Sequence, residues 1–166
     1  MAKKMQLRES LRTQKRGQLG GAFQKSGKYP LNTRCPKCGL FFQNGVWKRA
    51  AATATKDQQW KLCPACIQIR DKQIGGIVQF SGSFAHTHRQ EIVNRIHNVE
   101  KQTREERPLE RIMSLEEREG EITVFATTEH LVARLGKSIQ RDFGGTLSLR
   151  YAPEDKFAFV HWRRDA

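Results

Sequence analysis

Apolar residues recur along this chain with two different periods, and each change of period marks an element. In TEHLVARLGKSIQRDFGG, Leu131, Leu135, Ile139 and Phe143 recur every four residues, an apolar helical stripe. Arg134, Lys137 and Arg141 fall on roughly the opposite face. Thr128 is placed to cap this helix, which runs to about Asp142 before Gly144-Gly145 end it. Beyond it, Leu147, Leu149 and Tyr151 alternate with Ser148 and Arg150, the period of a half-buried strand. A turn at Ala152-Pro153-Glu154-Asp155 leads to a partner strand from Lys156 to Arg163. Upstream, Glu121 to Thr127 reads as a strand, and so does Gln73 to Phe84 with Ile74, Ile77, Val78 and Phe80. Between them Ile92, Val93, Ile96 and Val99 keep helical spacing. That helix turns highly charged from Glu100 to Glu121, a stretch holding eight of the 17 acids, and Pro108 must break or bend it. Ser114 with Glu117 resembles a capping box for a second short helix. The order β-α-β-α-β-β predicts two helices packed on one four-stranded sheet over residues 73–166.

The pattern changes over residues 35–72. Asn44-Gly45 between Leu40-Phe41-Phe42 and Val46-Trp47 signals a two-residue hairpin, because both residues tolerate positive φ. This hairpin lies between Cys35-Pro-Lys-Cys38 and Cys63-Pro-Ala-Cys66, pairs that use every cysteine in the chain. A two-residue gap lets one tight knuckle supply two thiolates, and two knuckles complete the tetrahedron that Zn²⁺ takes at about 2.3 Å per sulfur. Gly39 permits the turn that aims backbone N–H groups at the sulfurs. A single C-P-x-C fits a thioredoxin-type redox pair, but that motif comes once and opens a helix after a strand. An iron–sulfur cluster takes four cysteines too, although nothing else in the sequence suggests electron transfer. The reading is one structural Zn²⁺ on Cys35, Cys38, Cys63 and Cys66, closed by protein ligands and therefore not catalytic. Trp47, beside Lys48 and Arg49, either covers the knuckle or stacks on an unpaired base while the cations hold phosphate. Trp60 beside Lys61 repeats the arrangement.

Residues 1–34 carry Lys3, Lys4, Arg8, Arg12, Lys15, Arg16, Lys25, Lys28 and Arg34 against one acid, Glu9. With five Gly or Pro residues and few large apolar ones, this reads as a basic flexible arm. A solubilising tail has the same composition. Its position against a cysteine site points instead to an arm that folds on RNA. The expected organisation is thus α+β: arm 1–34, a four-cysteine zinc-ribbon-like module 35–72, and the small domain 73–166.

Charge narrows the class of partner. Thirty Lys and Arg stand against 17 Asp and Glu in 166 residues, a formal +13, with a mean hydropathy of −0.68. Such an excess attracts polyanions. The uncharged stretches fall far short of a membrane span, and no apolar core of a secretory signal follows Met1. The expectation is a cytoplasmic protein whose four cysteines stay reduced, without disulfides. An Arg-rich, acid-poor start also imitates a mitochondrial transit peptide. Gly136-Lys137-Ser138 mimics the end of a Walker A loop, but the earlier glycine it requires falls at Leu131, so nucleotide binding is rejected. The five histidines form no ligand spacing with a carboxylate; His86 and His88 read as the start of a helix. No nucleophile–base set or paired carboxylates stand out, so no enzyme and no small-molecule substrate are expected.

CPKCG and CPAC, followed by a domain ending TTEHLVARLGKSIQRDFGGTLSLRYAPEDKFAFVHW, resemble the N-terminal part of the archaeal and eukaryotic ribosomal large-subunit export-adaptor family. A proteobacterial zinc-knuckle family of about this length, which itself resembles that N-terminal part, is more similar to the chain than the larger family is. The resemblance covers roughly residues 34–164, and its most specific part runs from Leu131 through Gly145 to Trp162. The larger family has two zinc sites from eight cysteines and further domains, where this chain has four cysteines. The resemblance implies ribosome binding. The functional expectation is therefore a monomeric rRNA-binding zinc protein on the ribosome, acting in dormancy by occupying functional sites. Two alternatives stand beside it: a ribosome assembly factor, and a zinc-containing DNA-binding regulator, for which neither a helix-turn-helix nor heptads are seen. Its RNA contacts would come from the arm, Trp47, Lys48 and Arg49, and the helix cations Arg134, Lys137 and Arg141.

Overall fold

The computed structural model describes residues 29–49 and 55–166. The arm cations from Lys3 to Lys28 lie outside the described residues.

A small sheet organises the cysteine module, with strand order β3-β2-β1-β4. Its strands are β1 (Thr33–Arg34), β2 (Phe41–Gln43), β3 (Val46–Lys48) and β4 (Gln59–Trp60). Asn44 and Gly45 close the β2–β3 hairpin at φ 52° and 78°, both in the left-handed region that this turn demands. β1 pairs antiparallel with β2, and β4 joins β1 in parallel, placing Arg34 opposite Trp60. The module also reaches back before the first cysteine. Tyr29 meets Trp47 edge-on with ring centroids 4.9 Å apart, and its hydroxyl donates to the Leu62 carbonyl at 3.3 Å. Residues 29–34, expected as the end of the arm, are thus the first part of the module. Helix α1 (Pro64–Arg70) follows the second cysteine pair. It opens with Pro64, whose missing N–H has no intrahelical partner to lose at that position.

The second sheet carries residues 76–163 and has the order β6-β7-β5-β9-β8. Its strands are β5 (Gly76–Ser81), β6 (Ile112–Arg118), β7 (Glu121–Ala126), β8 (Thr146–Ala152) and β9 (Phe157–Arg163). Helices α2 (Ser83–Thr87) and α3 (Arg89–Glu106) link β5 to β6, and α4 (Glu129–Phe143) links β7 to β8. β5 is central, antiparallel to β7 and parallel to β9. On one face the register sets Val78 between Val124 and Val160, and Phe80 between Ile122 and Trp162. Ile92 and Ile96 of α3 and Leu131, Leu135 and Ile139 of α4 pack onto that face and close the main core. The stripe seen in the sequence is therefore a core stripe, and the α+β class holds. Arg95 of α3 ties the two helices together, pairing with Asp142 at 2.5 Å and donating to the Ser138 hydroxyl at 3.1 Å.

The sheet has five strands rather than four. The extra one is β6, in the segment where Ser114 and Glu117 resemble the start of a second short helix. Residues 119 and 120 close a two-residue hairpin from β6 to β7, with Glu119 at φ 51° and Gly120 at φ 79°. β6 is an edge strand whose Glu116, Glu117 and Arg118 are exposed, so its sequence lacks the apolar alternation that normally announces a strand. Upstream, β5 ends at Ser81, and Phe84 belongs to α2 instead of the strand. Thr128 caps α4 as expected, its hydroxyl accepting from the Leu131 N–H at 3.2 Å.

Candidate metal centre

The four cysteines separated in sequence by the hairpin come together in the fold. The Sγ atoms of Cys35, Cys38, Cys63 and Cys66 all lie within 4.8 Å of one another, and this is the metal-ligand cluster found among the described residues. None of the four forms a disulfide. Four thiolates about 2.3 Å from one ion in a tetrahedron stand roughly 3.8 Å apart. Cys38 and Cys63 Sγ are 3.7 Å apart, in keeping with that geometry.

Each knuckle is built locally. In the first, the Cys35 N–H donates to the Leu40 carbonyl at 2.8 Å and the Gly39 N–H to the Cys35 carbonyl at 2.9 Å. Gly39 takes φ 77° at the turn. In the second, Cys63 is the N-cap of α1, and its Sγ accepts from the Cys66 N–H at 3.4 Å. A helix N-terminus aims unpaired N–H groups and a partial positive charge at the sulfur. Leu40, Trp47 and Ala65 pack around the buried sulfurs, with Tyr29, Phe42 and Leu62 against them.

One contact comes from outside the module. Arg111, only 6% exposed, lies in the segment between α3 and β6. Its Nη2 is 3.2 Å from Cys38 Sγ and 3.8 Å from Cys63 Sγ, and its Nη1 is 3.4 Å from Cys66 Sγ. Its Nε donates to the Pro108 carbonyl at 2.8 Å. Leu109 of the same segment packs against the cysteine cluster, and Gln68 of α1 donates to the Thr127 carbonyl at 3.0 Å. In the sequence Arg111 is one cation in a charged run, and nothing local marks it. A guanidinium over three cysteines arises only when residues 45 to 73 positions apart meet.

The charges respond to one another. The Cys38 thiol is pushed down to about 4, first by the hydrogen bond from Cys63, with the Leu40 amide and Arg111 adding to it. Cys63, the donor of that bond, is pushed up. Burial raises Cys66. For Arg111, burial works against its charge, but the Cys38 thiolate and its neighbours outweigh burial and hold the guanidinium more firmly protonated. The neighbours of Cys38 thus favour its thiolate, the form a metal ligand takes.

The residues expected to meet RNA fall into different places. Trp47 is 5% exposed, its ring clustered with those of Tyr29 and Phe42, so of the two readings it takes the one that covers the knuckle rather than the one that stacks on a base. It covers the module core, as large aromatics do in a sheet too small to bury them otherwise. Trp60, on the edge strand β4, is 57% exposed. Lys48 and Arg49 are exposed, and Arg34 is half-buried within β1. Arg134 is engaged within the fold while staying partly exposed. It turns toward α3 and the loop after it, donating to the Thr103 hydroxyl at 3.1 Å and pairing with the buried Glu110 at 3.3 Å. Lys137 and Arg141 are exposed, Arg141 pairing with its neighbour Asp142 at 3.0 Å. Of the three helix cations, Lys137 and Arg141 are exposed and Arg134 is partly exposed. Gly136, next to the lysine, packs against the sheet, so the likeness to a phosphate loop has a packing explanation. His88 stacks on Phe84 with centroids 4.0 Å apart and pairs with Glu91 at 3.0 Å, away from the cysteines.

The net charge is also unevenly divided. Residues 73–166 hold 14 Lys and Arg and 14 Asp and Glu, which cancel. Residues 29–72 hold eight cations and two acids, and residues 1–28 eight cations and one acid. The whole excess of +13 therefore lies in the cysteine module and the residues before it. No helix among the described residues is long and apolar enough to cross a membrane. No family model matches the chain, and neither a curated protein nor a solved structure is similar to it at a significant level.

Proposed function

We propose that the protein is a structural-zinc protein that binds ribosomal RNA, with the cysteine module and the residues before it making the RNA contacts. The observation that carries this reading is the charge division. A domain of residues 73–166 with balanced charge has no net long-range attraction to a polyanion, whereas +13 concentrated in 72 residues does. Zn²⁺ is the ion favoured by a closed set of four thiolates at single-ion spacing, and its role is to fold a module whose strands are two or three residues long. On this module Trp60 replaces Trp47 as the base-stacking residue, since it is exposed and flanked by Lys61.

The resemblance of the CPKCG, CPAC and Leu131–Trp162 segments to a ribosome-binding family supports the ribosome as the source of that RNA. A bound protein of this kind on mature ribosomes blocks functional sites and acts in dormancy. On precursor subunits the same contacts make it an assembly factor. No reaction is assigned to it, and its expected place is the cytoplasm.

Sedimentation of tagged protein through sucrose gradients tests the reading. It should travel with ribosomes at low salt and shift to the top of the gradient at high salt. Cosedimentation with mature ribosomes from non-growing cells supports dormancy, and with precursor subunits from growing cells it supports assembly. Protein that stays at the top in both, at low salt, overturns ribosome binding.

A further inference from the structure

Arg111 belongs to the sheet domain by its backbone and to the metal centre by its guanidinium. The backbone at Arg111 is held by Thr127 through a closed set of bonds. The Arg111 N–H donates to Thr127 Oγ1 at 2.9 Å, the Thr127 N–H donates to the Arg111 carbonyl at 2.9 Å, and Thr127 Oγ1 donates to the Leu109 carbonyl at 2.9 Å. Gly75 lies against the same residue so closely that a Cβ there would stand 1.9 Å from the Thr127 carbonyl oxygen. The side chain then leaves this fixed point and reaches Cys38, Cys63 and Cys66, with the Pro108 carbonyl accepting from its Nε.

Charge accounting explains why such a residue is placed there. One divalent ion and four thiolates carry a net −2 in a buried site, and a buried cation needs anionic partners. Each side satisfies the other. We infer that Arg111 is the counter-ion of the metal centre, and that the loaded centre is what fixes the cysteine module on the sheet domain. With the ion present, the cation-rich module and the neutral domain move as one body. Without it, only weak hydrogen bonds to sulfur hold the four cysteines together, the guanidinium loses most of the anionic charge it pairs with, and the junction through Leu109, Arg111 and Gln68 loosens. This rests on the metal reading, and it does not depend on what the protein binds.

The test uses the full chain loaded with zinc and needs no RNA. Arg111→Met keeps the length of the side chain and removes its charge, and Arg111→Lys keeps the charge without the fork. Zinc transfer to a chromogenic chelator should be about 10–100-fold faster from Arg111→Met than from wild type, with Arg111→Lys between them. Amide exchange supplies the second readout. Removing zinc from the wild type should speed exchange in residues 107–112 and α1 and leave β8 and β9 protected. In Arg111→Met the 107–112 segment should exchange fast even with zinc bound. Thr127→Val, which keeps the shape and loses the hydroxyl, serves if Arg111→Met does not fold, and should also release zinc faster. Equal release rates from the wild type and a folded variant overturn the counter-ion role. Unchanged exchange at 107–112 on zinc removal overturns the coupling. A chain that never holds zinc overturns the metal reading itself.

Discussion

Gly136 of α4 stands directly against Val160 of β9: a Cβ at position 136 would lie 2.6 Å from Val160 Cγ1 and 2.9 Å from Leu147 Cδ1. The helix can approach the sheet this closely because that position has no side chain. Alanine is favoured over glycine inside a helix by about 1 kcal/mol. Overpacking a tight core costs about 1–3 kcal/mol. We expect the second effect to win, so Gly136→Ala lowers the thermal midpoint although it raises helix propensity. A stabilised variant would show that the contact relaxes at no cost.

The metal prediction follows from the way the module is built. Cys63 both caps α1 and supplies a thiolate, so Cys63→Ser weakens the centre and loosens a module with little core of its own. Elemental analysis should give one zinc per wild-type chain and much less in the variant. Near-ultraviolet signals from Trp47 should be lost while those from the buried Trp162 persist. Iron in place of zinc in freshly purified protein contradicts the ion assignment.

Two tryptophans of the same module should behave oppositely. Trp47→Ala opens a cavity beside Tyr29 and Phe42 and should cost about 3–5 kcal/mol of module stability. Trp60→Ala removes an exposed side chain and should leave stability within about 0.5 kcal/mol. If Trp60 stacks on a base, its loss weakens RNA binding by about 1–3 kcal/mol. A melt and a binding titration on each preparation separate the two. Unchanged RNA affinity in a folded Trp60→Ala protein removes it from the contact surface.

Salt dependence tests the charge division. Each phosphate neutralised on single-stranded RNA adds about 0.7 to the slope of log affinity against log salt. Reversing Lys48, Arg49 and Lys61 to Glu should flatten that slope by about 2 units. Lys137→Glu with Arg141→Glu, on the neutral domain, should change it little. Deleting residues 2–28 removes eight cations and should flatten it by up to about 6 units. If the α4 pair changes the slope more than the module triple does, the RNA surface lies on the sheet domain after all.

Much of this protein is legible along the chain wherever local rules decide the outcome. Asn44-Gly45 specifies its hairpin because two residues tolerant of positive φ favour that turn. Thr128 and Gly144 bracket α4 because caps act within one turn of helix. The apolar stripe Leu131, Leu135 and Ile139 names its buried face through helical period alone, and the paired C-P-x-C spacing names the metal ligands because a knuckle is a local structure. Other features need distant residues to meet. β6 is a strand because β7 offers it a partner, and its exposed glutamates hide the pattern. Trp47 is buried because Tyr29, eighteen positions earlier, folds back onto it, and Arg134 is drawn toward the loop after α3 because Glu110 lies there. Arg111 is the fullest case. Its segment is as charged as any solvated surface, and only the joining of two modules converts that cation into the neighbour of three sulfurs. Local geometry and periodicity can be read from sequence; which charges become buried against one another is settled by long-range packing, which carries no short-range signal.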